Sequence, residues 1–164
     1  MRKIWFVGLL ALSLSACEKD DICDGGESVT PNVVIDLYDR LETENLKSAV
    51  KIAIIAQDFK DTLFFYNRSK IDLPLQINTT ETVWDLVLYI PTANNDTLLR
   101  KDQLKFNYTP EALYVSKACG YKTIFHDFNA VKTSNTSATS WIQSIYKITN
   151  EISNTNNAHI QLYY

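Results

Sequence analysis

The feature that most constrains the fold is an alternation of apolar and polar side chains that starts at Val33 and recurs along the chain. A period of two places alternate side chains on one face of an extended strand. β-branched and aromatic residues dominate these segments, and turn-forming residues separate them. The clearest alternating apolar positions are Val33, Ile35, Leu37, Val50, Ile52, Ile54, Trp84, Leu86, Leu88, Leu104, Phe106 and Tyr108. The pattern predicts roughly eight to ten short strands.

We expect residues 33–164 to form a single mainly-β domain, built as an antiparallel β-sandwich of the Ig-like or a related type. Short strands joined by turns, without repeated helices, pack as two sheets around one core. A small β-barrel is the alternative. The segment from Trp141 to Ile152 also fits a helical stripe, but its Ile, Tyr and Thr content favours a strand.

Two single residues carry local expectations. Pro110 has no backbone N–H to donate to a sheet, so we expect it to interrupt the strands on either side of it. His159 is out of phase with Ile160 and Leu162, which predicts that its side chain faces solvent.

The first 17 residues have the three-part layout of a secretory signal. Basic Arg2 and Lys3 precede an apolar run of about 11 residues, which is shorter than the ~20 residues that a membrane-spanning helix needs. The run ends in Leu14-Ser15-Ala16-Cys17, which resembles the lipobox of bacterial lipoproteins. We therefore expect residues 1–16 to be removed as a signal peptide and Cys17 to carry a lipid. The alternative is a secreted protein that is cleaved elsewhere.

The charge balance excludes one class of partner. Two of the 16 basic residues lie within the first 16 positions, so the mature chain would keep 14 basic against 19 acidic side chains, a net charge of about −5. An acidic surface gains nothing from counterion release, so we expect no nucleic-acid partner. Residues 17–32 are acidic and poor in apolar side chains, as is typical of a tether between a lipid anchor and a domain.

With Cys17 acylated, the mature chain keeps an even pair, Cys23 and Cys119. An extracytoplasmic compartment permits disulfides, so we expect these two residues to be bonded. Two reduced, unrelated cysteines are the alternative.

No residue pattern in the chain predicts an active site, a metal centre or a cofactor. His126 and His159 lack metal-ligand spacing, and the four glycines form no phosphate-binding loop. We expect a membrane-anchored extracytoplasmic lipoprotein that acts as a non-catalytic binding or structural module of the cell envelope. The alternative is an envelope hydrolase or glycan-binding protein, in which Asp85 or Asp127 would face a second carboxylate. Aromatic side chains that proved exposed together would mark a binding patch.

Three segments resemble an uncharacterised lipoprotein family of Bacteroidetes: residues 17–23, 114–122 and 157–164. The resemblance implies an outer-membrane location at the periplasmic face or the cell surface, with an outer-membrane barrel protein as a partner. It also implies that the cysteine pair recurs, and it assigns no activity. Asp61-Thr62-Leu63 and Asp96-Thr97-Leu98 resemble the O-glycosylation motif of that phylum, which makes Thr62 and Thr97 candidate glycosylation sites.

Overall fold

A computed structural model describes residues 23, 29–57, 61–94, 96–133 and 139–164. The predicted signal peptide and the lipidation site Cys17 lie outside the described residues, as does most of the predicted tether. The chain divides into two compact units. The smaller contains Cys23, Val29 and the segment Leu113–Lys122, and the larger contains Thr30–Ala112 and Thr123–Tyr164.

The described residues form nine β-strands and no helix. The strands are β1 (Val33–Tyr38), β2 (Ala49–Ala56), β3 (Thr62–Arg68), β4 (Lys70–Leu73), β5 (Glu81–Pro91), β6 (Thr97–Ser116), β7 (Gly120–Lys132), β8 (Ser144–Lys147) and β9 (Ile160–Tyr163). Within the same ranges, no helix is long and apolar enough to cross a bilayer.

The strands form two sheets that share one hydrophobic core. The first has the order β4-β1-β9-β8, and the second has the order β3-β2-β5-β6-β7 and curls into a half-barrel. Pairing is largely antiparallel, although β1 and β9 run parallel with Ile35 opposite Ile160. The mainly-β prediction is confirmed, and the arrangement agrees with a sandwich as well as with its alternative, a small barrel.

The core follows from the alternation in the sequence. Every second side chain of β5 is buried from Thr82 to Leu88, while the residues between them are half-buried. Both sheets contribute large, fully buried side chains: Ile35, Leu37, Ile52, Ile54, Ile71, Leu73, Leu86, Leu104, Phe106, Phe125, Phe128 and Ile142. Burying one such side chain contributes about 1.5–3 kcal/mol relative to leaving it in water. The core therefore supplies the main force that holds the two sheets together.

The prediction that Pro110 interrupts a strand is wrong, because β6 runs through it without a break. The register of β5 on β6 ends at the pair Glu81 and Asn107. Tyr108 still donates its N–H to the carbonyl oxygen of Thr80 at 3.0 Å, but among the described residues no partner from β5 lies opposite Pro110. Proline is tolerated at such a position because its missing N–H need not bond to a neighbouring strand.

The ambiguous segment near the C-terminus contains a strand, as its composition favoured. Ser144 pairs with Tyr163, and Lys147 pairs with Ile160, in an antiparallel register between β8 and β9. Pairing with β9 makes β8 the edge strand of the four-stranded sheet, and this tertiary contact decides between strand and helix.

The prediction that His159 faces solvent is also wrong, because its side chain is buried just before β9. Its Nδ1 accepts a hydrogen bond from the backbone N–H of Val34 at 2.8 Å. Its Nε2 lies 2.9 Å from the carbonyl oxygen of Asn154, which can only accept, so Nε2 carries the proton. Burial lowers the pKa of His159 below its ordinary value, and the Asn154 carbonyl opposes that shift only in part. The neutral ring therefore joins strand β1 to the loop that contains Asn154.

A second buried polar group, Asp102 on β6, is fully enclosed. Its Oδ2 accepts the backbone N–H groups of Trp141 and Ile142, each at 2.7 Å, and the hydroxyl of Ser140 at 3.1 Å. Its Oδ1 lies 3.5 Å from the ammonium of Lys132. This carboxylate fixes the segment that leads into β8 against the inner face of the large sheet.

Candidate functional site

The outer face of the five-stranded sheet carries a group of exposed apolar side chains. Antiparallel register places Tyr66 of β3 beside Lys51 of β2, Lys51 beside Tyr89 of β5, and Tyr89 beside Leu99 of β6. Phe64 lies two residues before Tyr66 and so points to the same side. We call these five residues, Lys51, Phe64, Tyr66, Tyr89 and Leu99, the aromatic patch.

The aromatic patch is organised around the ammonium group of Lys51. That nitrogen lies 4.3 Å from the ring centroid of Tyr89, 4.6 Å from that of Phe64 and 5.7 Å from that of Tyr66. The rings of Phe64 and Tyr66 stack with centroids 6.2 Å apart. A cation within about 6 Å of a ring face is attracted by the ring quadrupole. Lys51 therefore holds three rings in one place.

Three of the five patch side chains are exposed, while Lys51 and Tyr89 are half-buried. Tyr66 is 56% exposed, Leu99 is 50% exposed and Phe64 is 47% exposed. Ala53, which is opposite Phe64 in the register, is too small to cover that ring. Contiguous exposed apolar surface is uncommon on proteins that act alone and usually marks a binding site.

The sequence predicted that aromatic side chains exposed together would mark a binding patch, but it did not show which of them meet. The sequence of β3 did contain one indication of the aromatic patch. The spacing of Phe64 and Tyr66 puts both rings on one face, while Phe65 between them packs against the core from the other face. The contribution of β5 and β6 depends on the register, which the sequence does not reveal.

A groove of about 470 Å³ shares Tyr89 with the aromatic patch. Its apolar lining is formed by Ala49, Val50, Leu88, Ile90, Pro91, Trp141 and Tyr164. Lys47 at its border is already bound, with Nζ 3.0 Å from Oδ2 of Asp39 and donating to the carbonyl oxygen of Tyr164 at 3.0 Å. Burial raises the pKa of Tyr164 to about 12, so its hydroxyl stays protonated. The groove extends the apolar surface of the patch around one end of the sheet.

His126 on β7 lies between two carboxylates at the protein surface. Its Nε2 is 2.6 Å from Oε2 of Glu111, and its Nδ1 is 3.3 Å from Oε2 of Glu151. All three side chains are at least one-third exposed, so the pairs are screened by water and add little to stability. Among the described residues, no group of three or more His, Cys, Asp or Glu side chains is placed to hold a metal ion.

The two carboxylates considered for a hydrolase have other partners. Asp85 faces Lys101, with Oδ2 and Nζ 2.8 Å apart, and accepts a hydrogen bond from the amide of Gln103 at 2.9 Å. Asp127 has a left-handed backbone with φ 51° and accepts a hydrogen bond from the hydroxyl of Thr109. These contacts are to a cation, an amide and a hydroxyl, which supply no second acid for catalysis.

The remaining predicted site residues are two threonines and two cysteines. Thr62 begins β3 and is half-buried opposite Ile55, and Thr97 begins β6 and is exposed opposite Pro91. Cys23 and Cys119 lie at disulfide distance, with sulfurs 2.10 Å apart and Cα atoms 5.1 Å apart. The glycosylation of the two threonines stays a prediction.

A comparison with protein families gives one match, a family described as "Family of unknown function (DUF6452)", over residues 51–164. The chain belongs to this family. The DUF6452 range begins within β2 and includes the whole aromatic patch, the buried Asp102 and Cys119. No curated protein and no solved structure matches the chain. Membership therefore gives a family without giving an activity.

Proposed function

We propose that this protein is a lipid-anchored lipoprotein of the bacterial outer membrane, at its periplasmic face or at the cell surface, and that its β domain binds a partner protein without catalysis. The lipobox-like residues ending at Cys17 support the anchor. The resemblance to Bacteroidetes lipoproteins supports the membrane. The observation that carries the binding role is the aromatic patch, in which three rings and one lysine form a single exposed surface.

The composition of the surface around the patch favours a protein over a glycan as the ligand. On this face, Val87 lies next to Ala53, and Ile55 lies next to Thr62. The exposed Leu99 extends the apolar surface on the far side of Tyr89. On the same face, Asp85 lies beside Ile55 and Lys101 lies beside Val87, so polar side chains border the apolar ones. An apolar centre with a polar border is typical of a protein interface. A glycan would need polar side chains that could bond to its hydroxyl groups, whereas Asp85 on this face is already bonded to Lys101 and Gln103.

The patch also predicts the chemistry of the partner. Docking would enclose the ammonium of Lys51, and a charge that is buried without a counter-ion costs several kcal/mol. The partner surface should therefore present a carboxylate at its centre, surrounded by apolar side chains. The resemblance described above makes an outer-membrane barrel protein the first partner to test.

The anchor predicts that Cys17→Ser abolishes membrane attachment. Two or three acyl chains bind a bilayer firmly, because each buried CH₂ contributes about 0.8 kcal/mol, and the variant would carry none. Cells fed a fatty-acid analogue should label the native protein and not the variant, which should leave the membrane fraction. Cys119→Ser is the control, because it removes a different cysteine and should keep the label. An unlabelled native protein, or a Cys17→Ser form that stays with the membrane, would contradict the anchor.

The binding role predicts that a photo-crosslinking residue at position 66 captures a discrete partner in intact cells, and that the same residue at position 146 does not. Tyr146 on β8 is a matched control, because it is also a tyrosine and is 62% exposed. With the captured partner purified, Tyr66→Ala should weaken binding about 30-fold, which corresponds to the loss of about 2 kcal/mol typical of an interface hot spot. Lys51→Glu should weaken it further, through repulsion of the partner's carboxylate.

The control variant Tyr146→Ala should leave that affinity unchanged. If position 146 captures the same protein as position 66, or if Tyr66→Ala binds as well as the native protein, the patch is not the interface.

A further inference from the structure

The turn between β6 and β7 carries a second exposed aromatic group. We call residues Leu113–Lys122 the hairpin tip, which belongs to the smaller compact unit. Tyr121 is 69% exposed and Tyr114 is 55% exposed, and their ring centroids lie 5.4 Å apart in an edge-to-face contact. Leu113, which precedes Tyr114 in β6, is also exposed. These side chains lie outside the hydrophobic core, so packing within the larger unit does not explain them.

The hairpin tip has the composition of a membrane-contact surface. Its ten residues include two lysines, Lys117 and Lys122, and no acidic residue, although the tether that contains Cys23 is acidic. Tyrosine suits the boundary between water and lipid, because its ring is apolar and its hydroxyl is polar. Lysine side chains near a bilayer are attracted to anionic headgroups, by about 1 kcal/mol each.

The disulfide connects the hairpin tip to the chain just after the expected lipid. Cys119 within the tip is bonded to Cys23, and Cys17 is only six positions before Cys23 in the sequence. Six residues span at most about 20 Å when fully extended. A lipid on Cys17 would therefore hold the hairpin tip within about 20 Å of the acyl chains, roughly half the thickness of a bilayer with its headgroups.

We propose that the hairpin tip is a membrane-contact surface, in which Tyr114 and Tyr121 enter the interface of the leaflet that holds the Cys17 lipid. Lys117 then faces the anionic headgroups. The occupant of this surface is a lipid bilayer, and the inference rests on the proposed anchor. In this arrangement, the disulfide makes the lipid and the hairpin tip two parts of one attachment.

Depth-dependent quenching of tryptophan fluorescence tests the proposal. The full-length lipidated protein is purified in detergent and reconstituted into vesicles of phosphatidylcholine and phosphatidylglycerol, with or without bromine on the acyl chains near the headgroup. Tyr121→Trp provides the reporter, and Tyr114→Trp provides a second one. Tyr146→Trp is the matched control on β8. Trp84 and Trp141 are buried and give the same background in every variant.

The fluorescence of a tryptophan introduced at position 121 or 114 should fall by about half in brominated vesicles. The reason is that interfacial side chains reach about 5–10 Å into the boundary of the acyl chains. The emission at position 146 should not change. Equal quenching at all three positions, whether strong or absent, overturns the proposal while leaving the anchor intact if the protein still floats with the vesicles. A protein that does not float with them lacks the anchor, and that result overturns both.

Discussion

Replacing Asp102 with alanine should lower the free energy of unfolding by about 3–5 kcal/mol, the usual cost of breaking a buried ion pair. The variant would leave the backbone N–H groups of Trp141 and Ile142 without their acceptor in the core, and the ammonium of Lys132 without its carboxylate. Each unsatisfied buried donor costs about 1–3 kcal/mol. In a domain of this size, the melting temperature should fall by roughly 10 °C or more.

Chemical unfolding followed by tryptophan fluorescence measures this effect, because Trp141 reports directly on the segment that Asp102 holds. Asp72→Ala is the matched control. Asp72 lies on the exposed side of β4, and its carboxylate accepts a hydrogen bond only from the amide of Asn32 among the described contacts. Its loss should cost no more than about 0.5 kcal/mol. An Asp102→Ala protein that is as stable as Asp72→Ala would show that the buried network contributes nothing.

The charge and the hydrogen bonds of Asp102 can be measured separately. Asp102→Asn keeps the shape and one acceptor oxygen but removes the charge that faces Lys132. Lys132→Met removes that ammonium, which is 29% exposed and also donates to Ser140 and to the carbonyl of Ile142. The double variant should cost less than the sum of the two single variants, because neither charge is left unpaired. Strict additivity would mean that the two groups do not interact.

Removing the disulfide should give the second large effect. The Cys23→Ser/Cys119→Ser variant releases a closed loop whose ends are 96 residues apart in the sequence. In the chain-entropy treatment, closing a loop of that length restricts the unfolded chain by about 4.7 kcal/mol, and observed gains are often smaller. We therefore expect a large loss of stability in denaturant and a native fold in the absence of denaturant.

Urea unfolding of the two proteins measures the loss, and peptide mapping without reductant checks that the native protein holds the Cys23–Cys119 bond. Ser116→Ala is a local control within the hairpin tip. It removes only the hydroxyl that accepts the backbone N–H of Cys119 at 3.1 Å. A double-serine variant with the same unfolding midpoint as the native protein would show that the bond does not constrain the unfolded chain.

Much of the local structure was predictable from the sequence. The strands follow the period-two pattern because side chains on a strand alternate between core and solvent, and that rule needs no knowledge of the neighbouring strands. The predictions were wrong where contacts with residues of other strands determine the local structure. Pro110 is accommodated because the pairing of β5 with β6 stops at Asn107, so no residue of β5 lies opposite the proline. His159 is buried because the backbone N–H of Val34 donates a hydrogen bond to its ring. Neither neighbour is close in the sequence.

The aromatic patch shows the same limit more clearly. Phe64 and Tyr66 share a face by spacing alone, but Lys51, Tyr89 and Leu99 join them only through the register of four strands. A shift of one residue in any of those pairings would turn the corresponding side chain toward the core. The sequence can therefore name exposed aromatic candidates without showing which of them meet.

The sequence by itself determined that this chain is built from strands and which side chains are apolar enough to fill a core, because both follow from local periodicity and composition. Only the tertiary structure decided the order of the strands in each sheet, the parallel pairing of β1 with β9, the enclosure of Asp102 and the grouping of rings around Lys51. Those features depend on contacts between residues far apart in the chain, and such contacts form only when the core closes around them.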